Sequence, residues 1–460
     1  MSAQRRILLR DACVVTMNPT LGELPRGSVL IEGERIAAIA PDIQAGDAET
    51  IDASGFIVTP GFVNAHMHTW QTALRGAAAN WTLLEYFRWV HAGLATQFRP
   101  EDIHIATLVG ALNQINCGAT TLVDWCHNNP TPEHTDAAVA ALQESGIRAA
   151  FFHGSPKPDP RLGEPHFSEI PHPRREVERL LAGPFAAREG KMSLGLAILG
   201  PHYSTLDVAL HDFRLARELG LVASIHQGGG AAKTPEGWDV LERERLVDDK
   251  INVVHGNDLP DDRLRRFVDL GVSFAVTAEN EMSQGHGHPI TGRLRDLGAA
   301  PALGVDLESC FSGDMMTQSR VALGHQRALD NAASRARDGK IPDTSTITTR
   351  AALGWITTQG ARMLRMQDRI GALAPGMQAD LVMLRADDLN LWPVHDPIST
   401  VVMQAGLANV DSVMIAGEWR KRHGKLLYAD LGRLRGELVQ SGERILGALG
   451  WRPQGKGREA

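Results

Sequence analysis

The order of apolar and polar positions divides the chain into two textures. From Arg5 to about Thr59, short β-branched runs alternate with turns, as in ILLRDACVVTM, SVLIEGERIAAIA and FIVTP. The same texture returns after Ile370 in GALAPGMQADLVMLRA, VVMQAG and VDSVMIAGEWRKRHGKLL, where Gly and Asp punctuate the runs. Between the two ends, short apolar runs stop at a polar or small-residue tip and give way to helical spacing. The runs are GFVNAH, ATTLVDW, IRAAFFHG, MSLGLAILGPH, LVASIHQG, INVVHGN, VSFAVTAEN and APALGVD; DIHIATLVGALNQINCG and DVALHDFRLARELG are typical of the helical stretches.

Eight strands alternating with helices predict an α/β protein built on a (β/α)8 TIM-like barrel. The two β-rich ends predict one small composite β-sandwich domain. The chain then divides into residues 1–59 and 370–430 for that domain, 60–369 for the barrel, and 431–460 for a terminal helix, DLGRLRGELVQSGERILGALG, with a disordered tail, RPQGKGREA. A doubly wound open sheet is the rival, but it calls for a Gly-rich phosphate turn after the first strand, where this chain has His-x-His. SPKPDPRLGEPHFSEIPHPRR, after the third strand, is proline-dense and falls on the barrel's C-terminal face, as a lid or as a rigid surface loop.

Candidate chemistry collects at the strand tips. In PGFVNAHMHTW, side chains two apart on an extended chain leave the same face, so His66 and His68 aim at one point. The fifth strand ends at His226, the sixth at His255 and the eighth at Asp306. In a parallel barrel all these tips converge on the face that carries active sites. One histidine near a strand end is ordinarily a structural residue; five such groups on four strands are not explained by packing. Imidazoles with one carboxylate suit one divalent transition metal, zinc first, with Fe2+ or Mn2+ as alternatives. Such an ion lowers the pKa of water toward neutrality and polarises the group under attack. Asp306 can take the nucleophile's proton and return it to the leaving group, while His255 orients the hydroxide or stabilises charge. The expected chemistry is hydrolysis.

Composition changes this picture little. At 460 residues, 43% apolar and 22% charged, the chain is an ordinary globular protein, and its formal net charge of −7 gives no reason to expect nucleic acid or an anionic membrane. No apolar stretch of secretory or membrane-spanning length follows MSAQRRILLRDACVVTM, so the expected location is the cytoplasm. Cys13, Cys117, Cys126 and Cys310 have no C-x-x-C spacing and read as inert thiols.

PGFVNAHMHTWQTALRG, SIHQ, VVHGNDL, LGVDLESCFSGDM and GALAPGMQADLVML together resemble the amidohydrolase superfamily, in the branch of cytosine, guanine and adenosine-type deaminases and triazine hydrolases such as atrazine chlorohydrolase. The likeness spans nearly the whole chain. It implies a mononuclear metal on His66, His68, His226 and Asp306, with His255 as a further ligand or as partner of the hydroxide. It also implies that Gln71 and His202 face the substrate, a small heterocycle, and that the protein is a homodimer or higher homo-oligomer.

One position departs from that branch. A glutamate three residues after the fifth-strand histidine shuttles a proton to the ring nitrogen, and here that place is Gly229. TAENEMSQGHGHP supplies two replacements, Glu279 and Glu281; Glu279, nearer the strand tip, is the expected acid, the alternative being that both are solvated loop carboxylates. His286 and His288 read as a surface turn. Among the aromatic residues Trp70, Trp81, Phe87, Trp89 and Phe311, only Trp70 is expected in the pocket. The function expected is C–N hydrolysis, foremost deamination, of a purine, pyrimidine or triazine-like ring. The alternatives are hydrolysis of a cyclic amide or of another leaving group, chloride included, and a silent scaffold. The last is disfavoured because all five ligand-type residues are kept.

Overall fold

The computed structural model describes residues 5–187 and 190–451, so the tail read over 452–460 lies outside the described residues. The N-terminal segment forms β1 (Arg6–Val15), β2 (Glu23–Glu32), β3 (Arg35–Ala40), β4 (Glu49–Asp52) and β5 (Phe56–Pro60). The barrel strands follow as β6 (Phe62–Met67), β7 (Ala119–Cys126), β8 (Arg148–Gly154), β9 (Met192–Ile198), β10 (Ala223–Gln227), β11 (Ile251–His255), β12 (Ser273–Val276) and β13 (Ala302–Leu303). Then come β14 (Leu381–Arg385), β15 (Val410–Ile415), β16 (Glu418–Arg422) and β17 (Lys425–Leu426). Four helices matter below: α1 (Pro100–Asn116), α2 (Ala278–Gln284), α3 (Met315–Asp338) and α4 (Leu431–Ala448).

β6 to β13 form one all-parallel sheet in chain order. Both faces of a parallel barrel strand are covered, which is why β7 and β8 are buried at every residue, their polar side chains included. Val63, Val123, Trp125, Phe152, Val254 and Ala275 belong to the cluster filling the barrel, while Phe62, Leu122, Phe151, Ile225 and Val253 pack outward under the helices. The circle closes at the site itself. Asp306 N donates to His66 O at 3.0 Å, and His68 N donates to Asp306 O at 2.9 Å. The approach is so close that a Cβ on Gly304 would stand 2.5 Å from His66 O.

The two ends of the chain share one nine-stranded sheet, ordered β17-β16-β15-β14-β5-β1-β2-β3 with β4 beside β1. Ile7, Leu9, Val29, Ile31, Val58, Leu381 and Met414 give it a core of its own. Arg148, at the foot of β8, ties it to the barrel: its guanidinium donates to Asp380 at 2.7 and 3.2 Å and to Gln378 Oε1 at 3.0 Å, all buried. Behind the first strand tip, α4 lies against residues 69–74, with Gly442 so close to Ala73 O that a Cβ would be 2.5 Å away. Ser441 and Arg444 of α4 hold Asp102 in the first turn of α1. Among the described residues no helix is long and apolar enough to cross a membrane.

Candidate metal centre

His66 and His68 reach the cavity because β6 is irregular. Its pairing with β7 slips between Asn64 and Met67; Ala65 still belongs to the barrel interior, whereas Met67 packs in the outer layer. Within and just after that bulge, the two histidines on either side of Met67 turn inward. His226 ends β10 on the opposite wall, and its Nε2 stands 3.2 Å from His66 Nε2. Asp306 Oδ1 lies 3.4 Å from the Nε2 atoms of both His66 and His68. The ligand nitrogens of the three histidines fall within 4.8 Å of one another, and all three residues are buried.

These spacings fit a shared cation. Nitrogens about 2.0–2.1 Å from a tetrahedral zinc stand roughly 3.3 Å apart, close to the 3.2 and 3.4 Å edges found here. His68 Nδ1 is 2.7 Å from Trp125 O, so it carries the proton and leaves the Nε2 lone pair free. Burial, the largest influence, pushes all three imidazoles below their ordinary range, His68 to about 3, which keeps them neutral as ligands must be. Burial alone would raise Asp306, but contact with His66 and the imidazoles around it holds the carboxyl well below the usual carboxylate range.

His255 is treated differently by its surroundings. Burial would lower it, but Glu281, with Oε1 3.3 Å from His255 Nδ1, and the charge of Asp306 raise it above an ordinary histidine. Its Nε2 is 3.8 Å from Asp306 Oδ2, an oxygen that also accepts from Asn280 Nδ2 at 2.6 Å and Thr277 Oγ1 at 3.2 Å. Both His255 (φ 67) and Asp306 (φ 64) occupy the left-handed backbone region, which costs a non-glycine residue about 1–3 kcal/mol. That conformation ends the strand abruptly and turns the side chain into the mouth.

The cavity over these groups is lined by His68, His226, His255 and Asp306 together with aromatic and imidazole walls, among them Tyr86, Phe87, His91, His127, Tyr203 and His286. Several expectations change at this point. Glu279 points away: its carboxylate takes a hydrogen bond from Gln318 on α3, while Glu281 is the carboxylate that touches the site. The segment after β12 is the helix α2, so residues two apart lie on opposite faces, and Thr277, Glu281 and Gln284 share one. Trp70 is fully buried behind the wall, donating from Nε1 to His127 Nδ1 at 3.2 Å and packing edge-on against Phe98. Gln71 donates to Tyr86 OH at 2.5 Å and His202 accepts from Gln227 at 3.1 Å; each supports a lining tyrosine or strand without lining the cavity. His286 is no surface turn, since its ring lies 4.2 Å from that of His255.

The place of the missing glutamate is filled. Gly229 has φ +95, and a Cβ there would stand 2.6 Å from Leu83 Cδ2 and 3.2 Å from Tyr203 OH. Residues not anticipated include Lys157, His127, His91, Asn280 and Gln284. His127 stands two residues beyond Trp125 at the second strand's tip, so the rule that found the other histidines reaches it too; the rest sit on loops or short helices without a period to read.

The sequence model of the amidohydrolase family matches residues 57–420. The 8-oxoguanine deaminase of Pseudomonas aeruginosa is 28% identical over 432 residues, covering 89% of this chain and 92% of that protein. Among solved structures, a triazine hydrolase variant superposes with a TM-score of 0.84 at 22% identity, over 95% of this chain and 99% of its own. An adenosine deaminase from Xanthomonas campestris with bound zinc does so with a TM-score of 0.79 at 22% identity, over 96% and 98%.

Proposed function

The chain belongs to the amidohydrolase family, and from that premise we propose that it hydrolytically deaminates an aminated purine, pyrimidine or triazine-like ring with the help of one zinc ion. The observation that carries this reading is the buried set His66, His68, His226 and Asp306, spaced for a single cation beneath a cavity walled by aromatic rings. The activity of the 28%-identical relative, a deaminase of an oxidised purine, supports the choice of reaction. Zinc, when bound, supplies Lewis-acid polarisation and a water of lowered pKa.

The chain's own residues supply the rest. Asp306, its Oδ2 fixed by Asn280 and Thr277, takes a proton from the attacking water and passes it to the leaving amine, which departs as ammonia. His255, whose Nδ1 is 3.3 Å from Glu281 Oε1, gives a proton to the ring nitrogen in place of the absent glutamate and regains one from the added hydroxyl as the ring carbonyl forms. Tyr86, Phe87 and Tyr203 present flat faces to a planar ring and exclude water from it. A second reading has one observation in its favour: with the shuttle position filled by Leu83 and Tyr203, a leaving group such as chloride would need no dedicated ring acid.

Free thiols at all four cysteines support a reducing compartment, and the homo-oligomer rests on the family resemblance. The test is ammonia release from a panel of aminopurines, aminopyrimidines and aminotriazines by zinc-loaded protein. Deamination predicts ammonia in proportion to substrate lost. Chloride release from chlorotriazines with no ammonia from any amine would overturn it in favour of the second reading.

A further inference from the structure

Lys157 enters the cavity wall from the loop after β8, between Pro156 and Pro158. The Pro156 ring fixes its own φ and Pro158 biases Lys157 toward extended backbone, so the PKP run holds the side chain's root stiffly. It is the only lysine or arginine among the residues lining this cavity. It is 7% exposed, and its ammonium lies 4.9 Å from the ring centre of Tyr203 and 5.6 Å from that of Trp125. Among the described residues it has neither a hydrogen-bond acceptor nor a carboxylate partner. Aromatic faces compensate a buried cation only in part, and buried charges are ordinarily paired.

Trp125 also sets the distance to the reaction centre. Its ring packs 4.2 Å from that of His226 and 5.4 Å from that of His68, with Lys157 over the same indole. Lys157, His68 and His226 thus pack on one indole and line the same cavity. Burial pushes it down to about 8, which still leaves it charged at neutral pH.

We propose that Lys157 binds an anionic oxygen of the substrate, so that the enzyme takes aminated heterocycles bearing a carboxylate or an ionised ring oxo group. This names the substrate class of the deaminase reading and rests on it. The test compares an aminopyrimidine carboxylate with its matched carboxamide on zinc-loaded full-length protein, with an ionised amino-oxo-triazine as the ring-oxyanion arm. Calorimetric affinities and ammonia release are both read. Wild-type protein should bind at least one anion about tenfold or more tightly than the neutral carboxamide, and whichever arm is preferred identifies the source of the charge. Lys157→Gln, or Lys157→Met if the first folds poorly, should lose that preference while binding the carboxamide as before. Equal affinities in the wild type, a preference surviving both variants, or an equal loss for charged and neutral rings would each overturn the proposal. Absence of ammonia from every ring would overturn the deaminase reading instead, because the binding comparison does not depend on turnover.

Discussion

Glu279 and Glu281 sit two residues apart on α2, and the helix sends them to opposite sides: Glu281 to His255, Glu279 to Gln318. Burial, then the Asp314 charge, raises Glu279 to about 7. The folded protein thus keeps a proton there that the unfolded chain loses near a glutamate's ordinary 4.5, so stability falls as pH rises between those values and stays low above them. Glu279→Gln removes that loss. Its melting temperature should exceed the wild type's by about 2 °C or more near pH 8, the gap closing near pH 5, with kcat within about twofold. A large fall in kcat would return Glu279 to the mechanism. His66, His68, His226, His255 and Asp306 were legible as a group because each lies at or within a few residues of the end of an apolar run, and the tips of a parallel barrel's strands share one face. Glu281 was not, since choosing between it and Glu279 requires knowing that a helix begins at Ala278. Trp70 was misplaced for a similar reason: a 3-10 turn after His68 carries its ring back into the core.

The strands carry most of what the sequence shows. β7 and β8 announce themselves by short, mostly apolar runs, ATTLVDWC and RAAFFHG, and β1 and β14 by turn-bounded aliphatic ones. The bulge in β6 left no trace in the pattern, although it aims His66 and His68. Neither did the junction of sheet and barrel, which depends on Arg148 meeting Asp380 and Gln378 more than two hundred residues away. Arg148→Ala leaves the Asp380 carboxylate buried without its partner and should cost about 3–5 kcal/mol of stability, read by denaturant unfolding. Because Arg148 lies at the foot of β8, opposite the cavity, kcat per folded molecule should hold. A loss under about 1 kcal/mol would show that the pair does not join the two sheets.

At the scale of the molecule, closing the barrel and assembling the site are one event. The backbone bonds that join Asp306 to His66 and His68 complete the circle of strands, and the same residues' side chains meet, with Asp306 Oδ1 3.4 Å from both Nε2 atoms. Two left-handed residues, His255 and Asp306, store strain there that the packed barrel holds in place. Lys157 and the imidazoles of His91 and His127 then shape the space above. The most direct measurement is metal content by elemental mass spectrometry on protein purified from zinc-supplemented medium, wild type beside His66→Ala. About one equivalent per chain in the wild type, falling below about a tenth in a variant that still folds, is what three imidazoles and a carboxylate around one ion require. Less than about half an equivalent in the wild type, or unchanged metal in His66→Ala, would contradict it.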